Sequence, residues 1–216
     1  MKKLICLILA LACSLGVVVG FTSCGGEKDE TPAIFEIAKT SAPTKIITQV
    51  DYTDSYGQDL DGYYEMQIEG NNSIFEFEYS RYRTVEEGVA EGNTSRIKTV
   101  AGVVYFKDGK TSTDGEKWDS EAVTAVDIKF NLDPALLTDA TISDDGTVLT
   151  ATIAKDKVAE VLGTDLSTGG DVTLEVKTNG TYLTFVTVSC TTISGGSMVV
   201  RTSYSYNAIT LEFPEA

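Results

Sequence analysis

The 216-residue chain contains no histidine and far fewer basic than acidic residues. There are 17 Lys and Arg against 32 Asp and Glu, which gives a formal net charge of −15. Nucleic-acid binding depends on clustered basic residues, so this charge argues against a nucleic-acid partner. The absence of histidine removes the usual general base, the commonest zinc ligand and the ordinary catalytic triads. We therefore expect no enzymatic activity, no metal site and no cofactor.

The N-terminus has the pattern of a secretory signal. Two lysines are followed by an uncharged, almost wholly apolar or small run over residues 4–21, as in the n- and h-regions of a signal peptide. The next residues, Phe21-Thr22-Ser23-Cys24, resemble the lipobox of bacterial lipoproteins, with Phe21 where Leu is usual. The resemblance implies cleavage before Cys24 and attachment of acyl chains to it. An uncleaved membrane helix is the alternative, since the run is at the lower limit for spanning a bilayer.

Cleavage divides the chain into three parts. Residues 1–23 would be the signal peptide, 24–31 the lipidated Cys with a flexible tether, and 32–216 one globular domain. Removal of the signal takes away two positive charges and no negative one, so the net charge of −15 becomes −17. Because anionic lipid headgroups repel such a surface, we expect the acyl anchor to hold the protein on the membrane. The expected location is the cell envelope, on the outer face of the cytoplasmic membrane or on the outer membrane.

Few cysteines remain after cleavage. Of the four in the chain, Cys6 and Cys13 leave with the signal and Cys24 carries the lipid. Cys190 is left without an intramolecular disulfide partner. It follows Val186 and Val188 with the period of a strand, which predicts a buried cysteine and not a reactive thiol.

The domain sequence is typical of an antiparallel sheet with a few short helices. Runs rich in β-branched and aromatic residues, bounded by Gly, Asn or Asp, predict strands at residues 46–52, 62–69, 73–83, 171–191 and 198–206. Ile209, Leu211 and Phe213 alternate in a predicted last strand. Short helices are expected after Pro32, after Pro134 and over residues 158–162. The fold class is therefore α+β: a large curved sheet with helices over one face.

The hairpin over residues 171–191 offers a predicted register. Asn179-Gly180 is the preferred dipeptide of a two-residue type I′ turn. Such a turn would place Val176 opposite Leu183 and Leu174 opposite Phe185, so that one face of the hairpin is mostly apolar.

The order of these elements resembles that of the LolA/LolB and LppX/LprG superfamily of bacterial lipoproteins and lipoprotein carriers. The resemblance rests on the lipobox Cys, the meandering strands, residues 103–109 followed by Trp118, the Leu132-Asp133-Pro134 segment and the Asn-Gly hairpin. It covers most of residues 32–216. It implies an unclosed half-barrel with helices over its concave face, enclosing an apolar cavity for acyl chains.

Seven apolar residues are candidates to line such a cavity. They lie on predicted strands in alternation with polar residues, but every sheet must bury one face, so an ordinary core is the alternative. The candidates are Phe75, Phe77, Tyr79, Leu174, Val176, Leu183 and Phe185. Residues 84–95 form a long acidic and glycine-containing segment that is a candidate lid or a simple loop.

Two functions from different classes follow from these observations. The first is a membrane-anchored protein that binds a lipid or other hydrophobic ligand in the concave face of the sheet. The alternative is a surface structural or interaction lipoprotein with a solid core and no ligand cavity, whose partner is a protein or a glycan. Sugar binding through exposed tyrosines and Trp118 is a third hypothesis.

Overall fold

A computed structural model describes residues 32–55, 59–83, 96–119, 131–163, 166 and 168–214. The elements are helices α1 (Ala33–Thr40) and α2 (Val158–Leu162), 3-10 turns at Pro134–Leu136 and Lys155–Lys157, and strands β1 (Lys45–Thr53), β2 (Asp59–Glu69), β3 (Asn72–Arg83), β4 (Arg96–Lys107), β5 (Lys110–Ser112), β6 (Leu137–Ile142), β7 (Val148–Ile153), β8 (Val172–Thr178), β9 (Leu183–Thr191) and β10 (Ser197–Ser205).

All ten strands form one antiparallel sheet in the order β5-β4-β3-β2-β1-β10-β9-β8-β7-β6. The first five strands form one meander and the last five form another. The two meanders join where β1 pairs with β10, with Val50 opposite Val200. The two end strands, β5 and β6, do not pair with each other in the described chain, so the sheet is open. The predicted large antiparallel sheet is confirmed, but the described structure is mainly β because its helical part is short.

One face of the sheet carries the core. Side chains alternate between the two faces of a strand, and in β8 Val172, Leu174 and Val176 are fully buried while their neighbours are not. Helix α1 lies near β8 and adds Ile34 and Phe35 to the same hydrophobic cluster. We call this the inward face.

The β8–β9 hairpin has a different register from the predicted one. Val176 pairs with Val186 and Leu174 with Val188, and a bulge separates these pairs from Thr178 opposite Leu183. The Asn179 side chain accepts hydrogen bonds from the backbone N–H groups of residues 181 and 182 at 3.0 and 2.8 Å. The turn therefore spans more than the two residues of a type I′ hairpin.

The C-terminal segment is not the strand that its alternation predicted. Residues 207–214 cross the strand ends as irregular chain. Thr44 Oγ1 donates to the Asn207 carbonyl at 2.7 Å, and the Leu211 N–H donates to Glu69 Oε2 at 3.0 Å. Leu211 and Ile74 are both buried but lie outside the main core cluster. We call this segment the C-terminal strap; it covers part of the outward face.

Candidate functional site

The inward face of β2, β3 and β4 carries a row of four aromatic rings. Tyr64, Phe75, Phe77 and Tyr79 follow one another with centroid separations of 6.2, 5.9 and 6.2 Å and interplanar angles of 15, 28 and 23°. The row follows from the sequence. Phe75, Phe77 and Tyr79 occupy every second position of β3, and Tyr64 of β2 lies directly opposite Phe77 of β3. We call this surface the aromatic face.

Burial changes along the row. Tyr64 and Phe75 are only 3% and 1% exposed, whereas Phe77 and Tyr79 are half-buried. Val104 and Phe106 of β4 continue the surface and are also partly exposed. Burial raises the pKa of the Tyr64 phenol, with Tyr79 adding a smaller effect. The aromatic face therefore runs from a sealed end in the core to an end that solvent or a ligand can reach.

Two glycines let the rings lie flat on the sheet. Gly102 pairs with Phe77 across β3 and β4, and a Cβ at Gly102 would lie 2.6 Å from Phe77 Cζ. A Cβ at Gly62 would lie 2.8 Å from Tyr64 Cε2. Glycine in a strand interior marks such close approaches. The Phe77 and Tyr64 rings therefore lie close to the backbone at these two glycines.

The described side chains of the aromatic face carry no charge, and those on the opposite face of the same strands include several carboxylates. Among the described side chains of β2, β3 and β4, those that share a face with Phe75 include no Asp, Glu, Lys or Arg. Glu65, Glu76 and Glu78 lie on the other face. Lys45 forms a 2.6 Å ion pair with Glu65 there and helps to hold the pKa of that carboxyl below its usual range against the effect of burial, together with hydrogen bonds from Tyr63 and Gln67.

The seven predicted cavity residues do not form one surface. Phe75, Leu174, Val176 and Leu183 are core residues, each at most 3% exposed. Phe185 pairs with Lys177 on the outward face, where the Lys177 ammonium lies 5.9 Å from the centre of its ring. Phe77 and Tyr79 remain as accessible apolar residues. Cys24 and residues 84–95 lie outside the described residues.

Sequence reasoning missed the contributions of β2 and β4. Val104 and Phe106 lie in β4, a strand with apolar residues on both faces, so periodicity alone does not say which side they take. Tyr64 alternates with Tyr63 and Glu65 in β2, where the alternation itself was an available signal. Gly102 inside a strand-like run was the available signal, because an isolated glycine there indicates close approach of another group.

Other site types have little support in the described chain. No group of three or more acidic or cysteine side chains is arranged there to hold a metal ion. Cys190 is a buried free thiol, and burial raises its pKa. None of the described helices has the length and apolar character needed to cross a bilayer.

Comparisons with known proteins identify no family. No family model matches the chain, and no curated protein matches it. Among solved structures, a redesigned beta barrel is 12% identical, covers 82% of this chain and 99% of its own, and superposes with a TM-score of 0.20.

Proposed function

We propose that the protein is a lipid-anchored, extracytoplasmic binding protein that holds the apolar chain of a lipid against the aromatic face. The observation that carries the proposal is the half-buried end of the aromatic row at Phe77 and Tyr79, which lie opposite Gly102 and Val100 of β4. An acyl chain needs a surface that excludes water and offers no unpaired charge. In this proposal the sheet curves as a half-barrel around the ligand.

The chemistry of the aromatic face suits the acyl chain of a lipid better than a polar ligand. Binding pockets for polar molecules place a few polar groups at fixed positions among apolar ones. The described aromatic face offers few polar groups, chiefly the Tyr79 hydroxyl, since the Tyr64 hydroxyl belongs to a buried residue. Each methylene that leaves water for such a surface contributes about 0.8 kcal/mol. Affinity should therefore rise with chain length, by up to about fourfold for each added methylene.

A second candidate is a tethered interaction protein with a solid core. The observation that favours it is the burial of the predicted cavity residues near α1. Leu174 and Val176 lie on β8, which contacts that helix, and both are fully buried; Leu183 is only 3% exposed. These residues belong to one hydrophobic cluster with Ile34 and Phe35 of α1, which supports a packed core beneath that helix. In this case the accessible apolar residues of β3 and β4 would contribute to a protein or glycan interface.

Photo-crosslinking separates the two candidates. Membranes containing the full chain would be treated with fatty acids of increasing length that carry a photoactivatable group, and crosslinked peptides would be mapped by mass spectrometry. The lipid proposal expects saturable crosslinks on β3 and β4, increasing with chain length and lost in Phe77→Asn. The neighbouring substitution Glu78→Asn, on the opposite face, is the matched control and should leave the crosslinks unchanged. Crosslinks that are absent, or equal in both variants, would favour the interaction protein.

The anchor is tested separately. Cells would be grown with an alkyne-labelled fatty acid, and the chain would be isolated and checked for label. The proposal expects label on the wild-type chain and none on Cys24→Ser. Label on both would place the acyl group elsewhere.

A further inference from the structure

A second concave surface lies on the outward face, away from the aromatic face. It is a groove of about 500 Å³ between the β4–β5 turn, the loop after β5 and the end of the C-terminal strap. Its walls are Lys107, Lys110, Gly115, Trp118 and Phe213, with Asp108 and Pro214 at the rim. We call it the Trp118 groove.

Two aromatic rings form a corner in this groove. The centroids of Trp118 and Phe213 are 6.2 Å apart and their planes are tilted by 58°. Tyr105 lies behind Phe213 at 6.3 Å. The Trp118 indole N–H donates to the Gly115 carbonyl at 3.1 Å. Because that donor is already used, Trp118 offers a ligand only the apolar faces of its ring.

Two lysines line this groove and form no ion pair with a described carboxylate. Lys107 and Lys110 pair across the β4–β5 turn, and like charges in that position repel each other. Within the described chain, neither lysine forms an ion pair, although acidic residues outnumber basic ones almost two to one. The Lys107 ammonium lies 5.1 Å from the centre of the Phe213 ring. An anion between the two lysines would relieve their repulsion.

The loop that carries Trp118 is held in place before any ligand binds. Asp114 Oδ1 accepts hydrogen bonds from the backbone N–H groups of Glu116 and Lys117, each at 2.9 Å. These bonds hold the pKa of the Asp114 carboxyl below its usual range. Gly115 has a φ of +78°, and a Cβ there would lie 2.4 Å from Pro214. The strap and the loop therefore fit closely, and little ordering is needed on binding.

We propose that the Trp118 groove binds an acidic sugar, such as a uronic acid unit of a glycan. The C–H face of the sugar ring would lie on Trp118, its carboxylate would lie between Lys107 and Lys110, and its hydroxyl groups would donate to Asp108. An acidic peptide fits less well, because the side chains of Asp and Glu have no flat C–H face to lie on the Trp118 ring. The proposal does not depend on lipid binding at the aromatic face.

The fluorescence of Trp118 tests this directly, because the chain has one tryptophan. The full chain, purified in detergent, would be titrated with oligogalacturonate. We expect a saturable change in emission, which the neutral methyl-esterified oligosaccharide does not produce. Lys110→Gln should weaken binding by about fivefold, the effect of one partly exposed charge pair. Lys117→Gln is the matched control: it removes an exposed ammonium from the same loop but not from the groove wall, so we expect less than about a twofold change.

Three results would overturn the proposal. One is the absence of a saturable change with oligogalacturonate. Another is equal binding of the acidic and the neutral oligosaccharide, which would show that the lysines do not select a carboxylate. The third is equal weakening in Lys110→Gln and Lys117→Gln, which would indicate attraction by overall charge and not by this groove. If polyglutamate displaced the sugar at equal carboxylate concentration, the groove would be a peptide site instead.

Discussion

Replacement of Gly102 by Ala tests the packing of the aromatic face. The new Cβ would lie 2.6 Å from Phe77 Cζ and 3.0 Å from Phe77 Cε1. The ring has little freedom to move along the row, because Phe75 and Tyr79 lie on either side at centroid separations of 5.9 and 6.2 Å. We therefore expect Phe77 to be pushed away from the sheet.

Two opposing effects decide the change in stability. Ala is favoured over Gly in a strand interior by about 0.5–1 kcal/mol, because it loses less backbone freedom on folding. Overpacking a well-filled site costs about 1–3 kcal/mol. The clash should outweigh this gain, so the free energy of unfolding should fall, by up to about 2.5 kcal/mol in the wild-type background.

The same substitution should have the opposite sign once the ring is removed. In a Phe77→Ala background the clash is absent, and Gly102→Ala should raise the free energy of unfolding by about 0.5–1 kcal/mol. The four proteins of this cycle would be compared by urea denaturation followed by circular dichroism. If Gly102→Ala had the same effect in both backgrounds, to within about 0.5 kcal/mol, Phe77 would not lie over Gly102 as described.

Three further predictions concern single groups. Tyr204 has a buried hydroxyl without a hydrogen-bond partner among the residues that the structure describes, so Tyr204→Phe should leave the free energy of unfolding unchanged or raise it by up to about 1 kcal/mol in urea denaturation. A clear loss of stability would mean that the hydroxyl is bonded. Hydrogen bonds, chiefly from Ser143 and Thr147, lower the pKa of Asp145 from 3.8 to about 2. Its stabilising contribution should therefore be complete above pH about 4 and disappear as the pH falls toward 2, so the wild type should exceed Asp145→Asn in urea midpoint at pH 5 but not at pH 2. The buried thiol of Cys190 should react with a maleimide only after unfolding, as mass spectrometry would detect; rapid labelling of the native chain would contradict its burial.

Local sequence patterns predicted β1, β2, β3, β8, β9 and β10, but they did not predict β5 and β6 or how all the strands pair. Alternation along β3 placed Phe75, Phe77 and Tyr79 on one face correctly, because strand geometry alone determines that alternation. The pairing of β1 with β10 joins residues about 150 positions apart. No turn signal connects them, so the order of the sheet had to come from the structure.

The two errors have a shared physical cause. In each, a side chain competed with the regular backbone pattern for hydrogen bonds. Asn179 caps the turn of the β8–β9 hairpin, which shifts the register and moves Phe185 to the outward face. Glu69 binds the backbone of Leu211 and holds the C-terminal strap as irregular chain. Asn favours such local hydrogen bonds. In the sequence, however, the Asn-Gly pair is equally typical of a two-residue type I′ turn, and the alternation of residues 209–213 is typical of a strand.

The aromatic face and the Trp118 groove occupy opposite sides of the same strands. In β3, Ile74 is buried outside the main core cluster while the next residue, Phe75, belongs to the inward core. In β4, Tyr105 contacts Phe213 of the strap while Val104 pairs with Phe75. The backbone of two strands separates the surfaces, and no described side chain takes part in both. Occupation of one should therefore leave the other intact, so Phe77→Asn should abolish lipid crosslinking without changing the Trp118 titration, and Lys110→Gln should do the reverse. Loss of both in one variant would indicate unfolding of these strands and not the loss of a site.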